Sequence, residues 1–295
     1  MTAPTIAILA AGTATRFGRP KQLEPVAPDG AVLMDYALFD AHRAGFRHVL
    51  ILTRAALRDR VERHVRDRFG RAFTLQLAEQ VSGGSDHAPP GTGHAALRVA
   101  HEVDGPFGLI NADDFYGPHC YRLLFEFLSG SDPDAHGGIA HGCVVAYRIA
   151  RTIHGATGVS RARCEPDRDR LWGIVEFRDV RRSGSAFVGV GPSGAQKIDR
   201  DALVSMNGWG FTWEIRDVLE RGYARFRARA DGGEFLLSTA VNRAIADREL
   251  EVALLHSDDE AFGLTRPDDV EMVRAHIASR TARGDYPAAV RMGDP

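Results

Sequence analysis

Four short segments set the strongest limit on what this chain can fold into: residues 5–10, 48–53, 73–77 and 107–111. Each reads as a strand, and the apolar runs 5–10 and 48–53 read as buried ones. Segments with apolar residues at helical spacing lie between and after them, at 34–44, 94–101 and 121–128. Residues 54–69 are rich in Arg and Asp and read as a solvated helix. Strand and helix in alternation predict a parallel sheet with helices on both faces. The pattern then changes. Segments 138–149, 158–164, 171–180 and 202–211 read as strands in quick succession, with 181–193 as a Gly/Ser-rich connection. Helices at 213–222 and 234–247, a strand at 250–255 and a helix at 268–280 complete the expectation.

Composition excludes several classes. A formal charge of −2 over 295 residues gives no global basic field for nucleic acid, so any anion binding is local. The three cysteines, Cys120, Cys143 and Cys164, are too sparse and widely spaced for a disulfide framework, and a reducing cytoplasm is expected. The spacing of His136, His141 and Cys143 matches no zinc pattern. The apolar run at 5–11 lacks preceding cations and is short for a signal peptide. No stretch approaches the ~20 apolar residues of a membrane helix. A soluble protein without a membrane partner is expected, and an oligomer remains open.

The first strand runs into Leu9-Ala10-Ala11-Gly12-Thr13-Ala14-Thr15-Arg16-Phe17-Gly18-Arg19-Pro20-Lys21. Small side chains let backbone N–H groups approach an anion, and Arg16 and Lys21 add the charge a triphosphate pairs with. The string is neither a P-loop nor a dinucleotide fingerprint. Further on, Gly91-Thr92-Gly93-His94-Ala95 precedes a helix, where glycines around a threonine permit backbone contact with a flat ligand edge. Asn111-Ala112-Asp113-Asp114 follows the fourth strand. Carboxylates at the C-terminal end of a parallel strand sit where α/β sheets place ligands, and hard oxygens suit Mg²⁺.

These motifs, in this order, resemble the sugar-1-phosphate nucleotidyltransferases, and the Gly-Thr-Gly-His-Ala segment is similar to that of N-acetylglucosamine-1-phosphate uridylyltransferases. The resemblance implies a Rossmann-like three-layer α/β fold with a mostly parallel mixed sheet. It implies transfer of a nucleotidyl group from a nucleoside triphosphate, UTP or dTTP favoured, to a sugar 1-phosphate, with Mg²⁺ as cofactor. By resemblance Arg16, Lys21 and Asp113 are catalytic, and Ala10, Ala11, Gly12, Thr13, Gly91 and Thr92 bind the nucleotide. Gln80 is the candidate for a further base contact. Thr157-Gly158-Val159 and Ile174-Val175-Glu176 resemble the acceptor strands, so Gly158 and Glu176 would meet the sugar. Asn207 matches a second metal ligand beside Asp113.

Three departures stand out: Ala14 and Ala112 replace glycines, and Phe177 replaces a lysine common after the glutamate. The acceptor phosphate is left to Arg178 or Lys197. The implied organisation is a catalytic domain over 1–240, with acceptor-binding strands within 138–211, and an extension at 241–295 packed on the same domain. Two rivals stay open, a nucleotidyltransferase with a non-sugar phosphorylated acceptor and a non-catalytic sensor of nucleotide or sugar phosphate.

Overall fold

A computed structural model of the chain describes residues 2–12, 17, 20–80, 91–130, 139–155, 157–229 and 233–292. Strands β1 (Thr5–Leu9), β2 (His48–Thr53), β3 (Thr74–Glu79) and β4 (Phe107–Asn111) pair in parallel in the order β3-β2-β1-β4. Helices α1 (Leu33–Ala44), α2 (Arg58–Phe69) and α3 (Gly91–Glu102) make the crossovers. Strand order reverses between β1 and β4. That reversal leaves a crevice at the carboxyl ends of the two strands, where open α/β sheets bind ligands.

Alternate side chains of each strand enter separate cores, which gives the expected three layers. Ile6 and Ile8 pack with α1, α2, α4 (Pro118–Gly130) and α7 (Asp269–Ala282). Ala7 packs with Leu50 and Leu52 under α3, α5 (Ile215–Ala228) and α6 (Leu237–Ala246). No helix among the described residues is long and apolar enough to cross a membrane.

The second half enlarges the sheet through β6 (Ala140–Arg148), β7 (Val159–Asp167), β8 (Arg170–Ser183), β9 (Ala186–Gly191), β10 (Gly194–Ile198), β11 (Leu203–Phe211) and β12 (Leu250–Ser257). The α/β sheet is mixed, as expected. Its parallel pairs are those of the first four strands and β6 with β12, while hairpin-joined strands pair antiparallel because a tight turn allows only that. β11 runs antiparallel to β4 on one side and β6 on the other. β12, from the C-terminal region, is inserted between β6 and β8.

The expected connection at 181–193 is instead a meander. β8 runs on to Ser183, and β9 and β10 follow through turns at Gly184 and Gly194, whose φ values of +61° and +94° suit glycine. The small residues that suggested a loop are the turns of hairpins. Between them Phe187 alternates inward and joins Phe177, Val180 and Ile198 in a third, smaller core.

The charged helix α2 also differs from a merely solvated one. It buries Val61, Val65 and Phe69, and sends two basic side chains inward to the fully buried Asp35 of α1. His64 Nε2 lies 2.9 Å from Asp35 Oδ1, and Arg68 Nε lies 2.9 Å from Oδ2. Arg68 also pairs with Asp29. A buried carboxylate needs such partners.

A second buried acid on α1, Asp40, accepts a 2.6 Å hydrogen bond from the Tyr286 hydroxyl. Burial pushes its carboxyl up to about 7, against the lowering effect of that bond and of Arg43. The folded state therefore holds this proton where the unfolded chain has lost it. The stabilisation is complete below the ordinary carboxylate range and is lost as pH rises through about 7. Urea unfolding of wild type and Asp40→Asn should show their stability difference shifting against the wild type by a few kcal/mol between pH ~4 and ~8. A difference independent of pH would mean that Asp40 carries no raised pKa.

Candidate active site

The site grows from a break in the pairing of β4 with β11. Trp209, Gly210 and Phe211 pair with Leu109, Gly108 and Phe107, and beyond Trp209 the strands part. The pairing of β11 with β6 also shifts register between Ser205 and Trp209. Asn207 sits in that interval at φ +67°, a left-handed conformation asparagine tolerates better than most residues. The Trp209 indole Nε1 donates to Asn207 Oδ1 at 3.1 Å, and Asn207 Nδ2 donates to Asn111 Oδ1 at 2.9 Å. Asn111 Nδ2 in turn donates to Asp114 Oδ2 at 2.7 Å.

The buried Tyr116 hydroxyl spans the gap. It accepts from the Asn111 N–H at 2.9 Å and donates to the Met206 carbonyl at 2.9 Å. These are two backbone groups that the parting of the strands would otherwise leave without a sheet partner.

A cavity of about 200 Å³ opens at this break, lined by Asn111, Asp114, Asn207 and Trp209 on one side and Ala162, Ile174 and Glu176 of β7 and β8 on the other. Ser238 of α6 closes one end, where its hydroxyl donates to Glu176 Oε1 at 2.7 Å. Arg161 also lines the cavity. Its Nε donates to the Thr152 hydroxyl at 3.0 Å, Nη2 to the Thr152 carbonyl at 2.5 Å and Nη1 to the Ser160 carbonyl at 2.8 Å. Burial lowers its pKa to about 10, although Asp114 and Tyr116 act to raise it.

Beside the cavity, Lys21 Nζ donates to Asp113 Oδ2 and, at 3.2 Å, to the Leu264 carbonyl. The C-terminal region holds this corner. β13 (Phe262–Gly263) pairs with β5 (Asp114–Phe115), and the Leu264 N–H donates to the Asp113 carbonyl at 2.9 Å. Asp114 is turned into the cavity and Asp113 toward Lys21. Burial first, and then the charge of Asp113 beside it, pushes the Asp114 carboxyl up to about 7, against the Asn111 amide, Lys21 and Arg161.

The Asp114 carboxylate and the Asn207 amide, both hard donors, line the cavity, and Asp113 beside Asp114 is paired with Lys21. A crowded acid pair of this kind is relieved by a divalent cation. Among the described residues no group of three or more His, Cys, Asp or Glu forms a protein-only cage. That composition fits Mg²⁺, which takes one or two carboxylates and completes its shell with phosphate and water oxygens.

The remaining residues singled out from sequence fall as follows. Ala10, Ala11 and Gly12 leave the end of β1, with the Ala10 N–H donating to the Leu52 carbonyl at 2.7 Å. The buried Gln22 Nε2 donates to the Gly12 carbonyl at 2.9 Å. Thr13 and Arg16 lie outside the described residues. Ala112 in place of glycine meets no backbone obstacle: its φ is not positive, its methyl is buried, and its N–H donates to the Leu9 carbonyl at 3.0 Å.

Gln80 meets Gly91 and His94, with Nε2 3.4 Å from the Gly91 carbonyl and 3.3 Å from His94 Nδ1. The glycines of Gly91-Thr92-Gly93 stand inside the first turn of α3, which begins earlier than expected, and both are packed against Phe235. Thr92 lines the cavity, and its hydroxyl accepts from the Leu237 N–H at 3.0 Å. Gly158 lies against Asp179, whose carboxylate any Cβ there would strike; its neighbours Thr157 and Val159 line a smaller adjoining cavity. Phe177 is buried in the third core, and the exposed Arg178 and Lys197 line neither cavity. Sequence reasoning missed Tyr116, Arg161, Gln22, Ser238 and the Leu264 backbone. The alternation of β7 gave no sign that Arg161 turns inward.

Comparison with known proteins bears on the fold and on the first half of the chain. Residues 6–113 match the family model of the MobA-like NTP transferase domain, a span that runs from β1 to Asp113. That match covers just over a third of the chain and supports a nucleotidyltransferase reading. Among solved structures, the inositol-1-phosphate CTP transferase from T. maritima has the same fold, with a TM-score of 0.63 and 14% identity over 94% of this chain and 97% of that one. No curated protein gives a significant sequence match.

Tyr116→Phe removes one hydroxyl and strips the partners from two buried backbone groups. We expect it to lower the unfolding free energy by about 1–3 kcal/mol, read by urea denaturation. A change below ~0.5 kcal/mol would show that water replaces the hydroxyl in the gap.

Proposed function

We propose that the chain transfers a nucleotidyl group from a nucleoside triphosphate to a phosphorylated, sugar-like acceptor and releases pyrophosphate, with Mg²⁺ bound at Asp113 and Asn207. The observation that carries this reading is the pairing of Lys21 with Asp113 beside a cavity whose far end holds Glu176 on Ser238. Lys21 is positioned to exchange its carboxylate for a triphosphate oxygen once a cation takes over Asp113. Arg16 is the second cation expected on the triphosphate, with backbone contacts from Ala10, Ala11, Gly12 and Thr13. Gly91, Thr92 and Gln80 face the base, and Gly158 and Glu176 serve the acceptor. A carboxylate held by Ser238 can accept from acceptor hydroxyls, and a competitor lacking them leaves it unpaired.

The acceptor phosphate, with a second pKa of ~6, is already nucleophilic near neutral pH, so the residues need only align it and stabilise charge. A bound divalent cation would neutralise charge on the phosphates and bridge the two reactants. The Gly-Thr-Gly-His segment favours UTP or dTTP as donor. The likeness to a CTP-dependent enzyme acting on inositol 1-phosphate favours, as a second reading, CTP with a phosphorylated cyclic polyol as acceptor. The three buried free cysteines suit a reducing cytoplasm.

Pyrophosphate release measured with Mg²⁺ across UTP, dTTP and CTP against glucose 1-phosphate, N-acetylglucosamine 1-phosphate and inositol 1-phosphate separates these readings. Release that requires one donor and one acceptor together names both. Absence of release from every pair, with triphosphate binding intact, would overturn the proposed acceptor class. With an active pair in hand, Lys21→Ala and Asp113→Ala should each lower kcat by at least ~100-fold, the scale of losing one electrostatic stabiliser. Turnover within about threefold of wild type in either variant would remove that residue from the role given it here.

A further inference from the structure

Arg161 is a part-buried guanidinium that lines the cavity. Among the described residues no carboxylate forms an ion pair with it, and Asp114 acts on it only through space. Its three hydrogen bonds go to neutral oxygens, two of Thr152 and one of Ser160. Thr152 is itself buried, and its hydroxyl donates to the Ile149 carbonyl at 3.1 Å, which turns a lone pair toward Arg161 Nε. The guanidinium is therefore fixed in place. An arginine carries five N–H donors. The three bonds occupy Nε and one hydrogen on each terminal nitrogen, so each terminal nitrogen retains one N–H that a phosphate can engage.

A buried charge without an opposite charge is costly, and such an arrangement is maintained where a ligand supplies the missing anion. We infer that Arg161 is the specificity-determining anchor for the acceptor's phosphate, so that the cavity takes a phosphomonoester of a polyol and rejects the free polyol. The identity of the anion as the acceptor's rests on the transferase reading above. Position supports it in two ways. Arg161 shares the cavity with Asn111, Asp114 and Asn207, so a phosphate held there stands beside the acidic strand ends where the donor's phosphates would lie. Glu176 and Ser238, which suit hydroxyls, line the same cavity.

The test is calorimetric titration of wild type, Arg161→Gln and Arg161→Lys with inositol 1-phosphate, glucose 1-phosphate, inositol and glucose. Circular dichroism and the Kd for the triphosphate serve as controls for folding. Wild type should bind at least one phosphomonoester ~100-fold more tightly than the matching free polyol. Arg161→Gln should bring that ratio to within about threefold of unity and leave the triphosphate Kd unchanged, with Arg161→Lys between them because an ammonium keeps the charge and loses the fork. A preference for the phosphorylated form that survives in Arg161→Gln overturns the assignment. So does a wild type that binds none of the four. If Arg161→Gln weakens triphosphate and acceptor equally, Arg161 only supports the fold, and the assignment also fails. Pyrophosphate release keeps the two levels apart. Release by wild type that is unaltered in Arg161→Gln sinks the anchor and leaves the transferase reading, whereas phosphate-dependent binding without release from any pair sinks the transferase reading and leaves the anchor.

Discussion

The parting of β4 from β11 at Asn207 is the constraint on which the site depends. Had the two strands continued in register, their backbones would have satisfied each other and closed the space the cavity occupies. Instead the chain adopts a left-handed residue at Asn207, fixed by the Trp209 indole, and the Tyr116 hydroxyl serves the two backbone groups left behind. A hydroxyl can accept from one group and donate to the other, which a methyl or a carbonyl cannot. The same break turns Asn207 toward Asn111, and Asn111 holds Asp114. The acidic corner is thus positioned by a hydrogen-bonded series that begins at an irregularity in the sheet.

The electrostatic character of the corner follows from what surrounds it. Asp113 and Asp114 are neighbours in sequence, and burial makes their joint ionisation unfavourable, as the raised Asp114 carboxyl records. Lys21 compensates Asp113 directly, and the Leu264 carbonyl helps to hold its ammonium. Arg161 also lines the cavity, and among the described residues it forms no ion pair. The site therefore contains an acid pair that favours a cation and a guanidinium that favours an anion, with Asp114 and Arg161 lining one cavity. A metal-bound phosphate supplies both charges, which is why this arrangement agrees with nucleotidyl transfer better than with recognition of a neutral ligand.

Much of this was legible in the sequence, and the remainder had a physical reason to be hidden. β1, β2 and β4 declared themselves because parallel strands covered on both faces are near-continuous apolar runs, whereas the edge strand β3 alternates. Lys21 and Asp113, which the structure pairs, were legible because they sit beside glycine- and alanine-rich turns at strand ends, a local pattern. The meander over 181–198 was obscured because hairpin turns and loops share glycine and serine, and because β8 to β10 bury only alternate residues in a small core. Arg161 and Ser238 meet the cavity through tertiary placement of β7 and α6, which no local spacing encodes. Nor did any motif show that Phe262–Gly263 would pair with Asp114–Phe115, since β5 and β13 are two residues each and lie far apart in the chain.

The Gly91-Thr92-Gly93 segment shows why a motif needs its surroundings. A Cβ on Gly91 would stand 2.5 Å from the Phe235 carbonyl oxygen, and one on Gly93 would meet the Phe235 ring at 2.7 Å. The Gly93 N–H donates to that same carbonyl at 2.7 Å. The glycines thus have a structural reason to be there whether or not a base lies against them. Their packing has a further consequence, because Phe235 leads directly into α6. Thr92 accepts from the Leu237 N–H at the first residue of that helix, and the next residue, Ser238, holds Glu176. The turn expected to meet the nucleotide and the carboxylate expected to meet the acceptor are therefore joined through consecutive residues at the start of one helix.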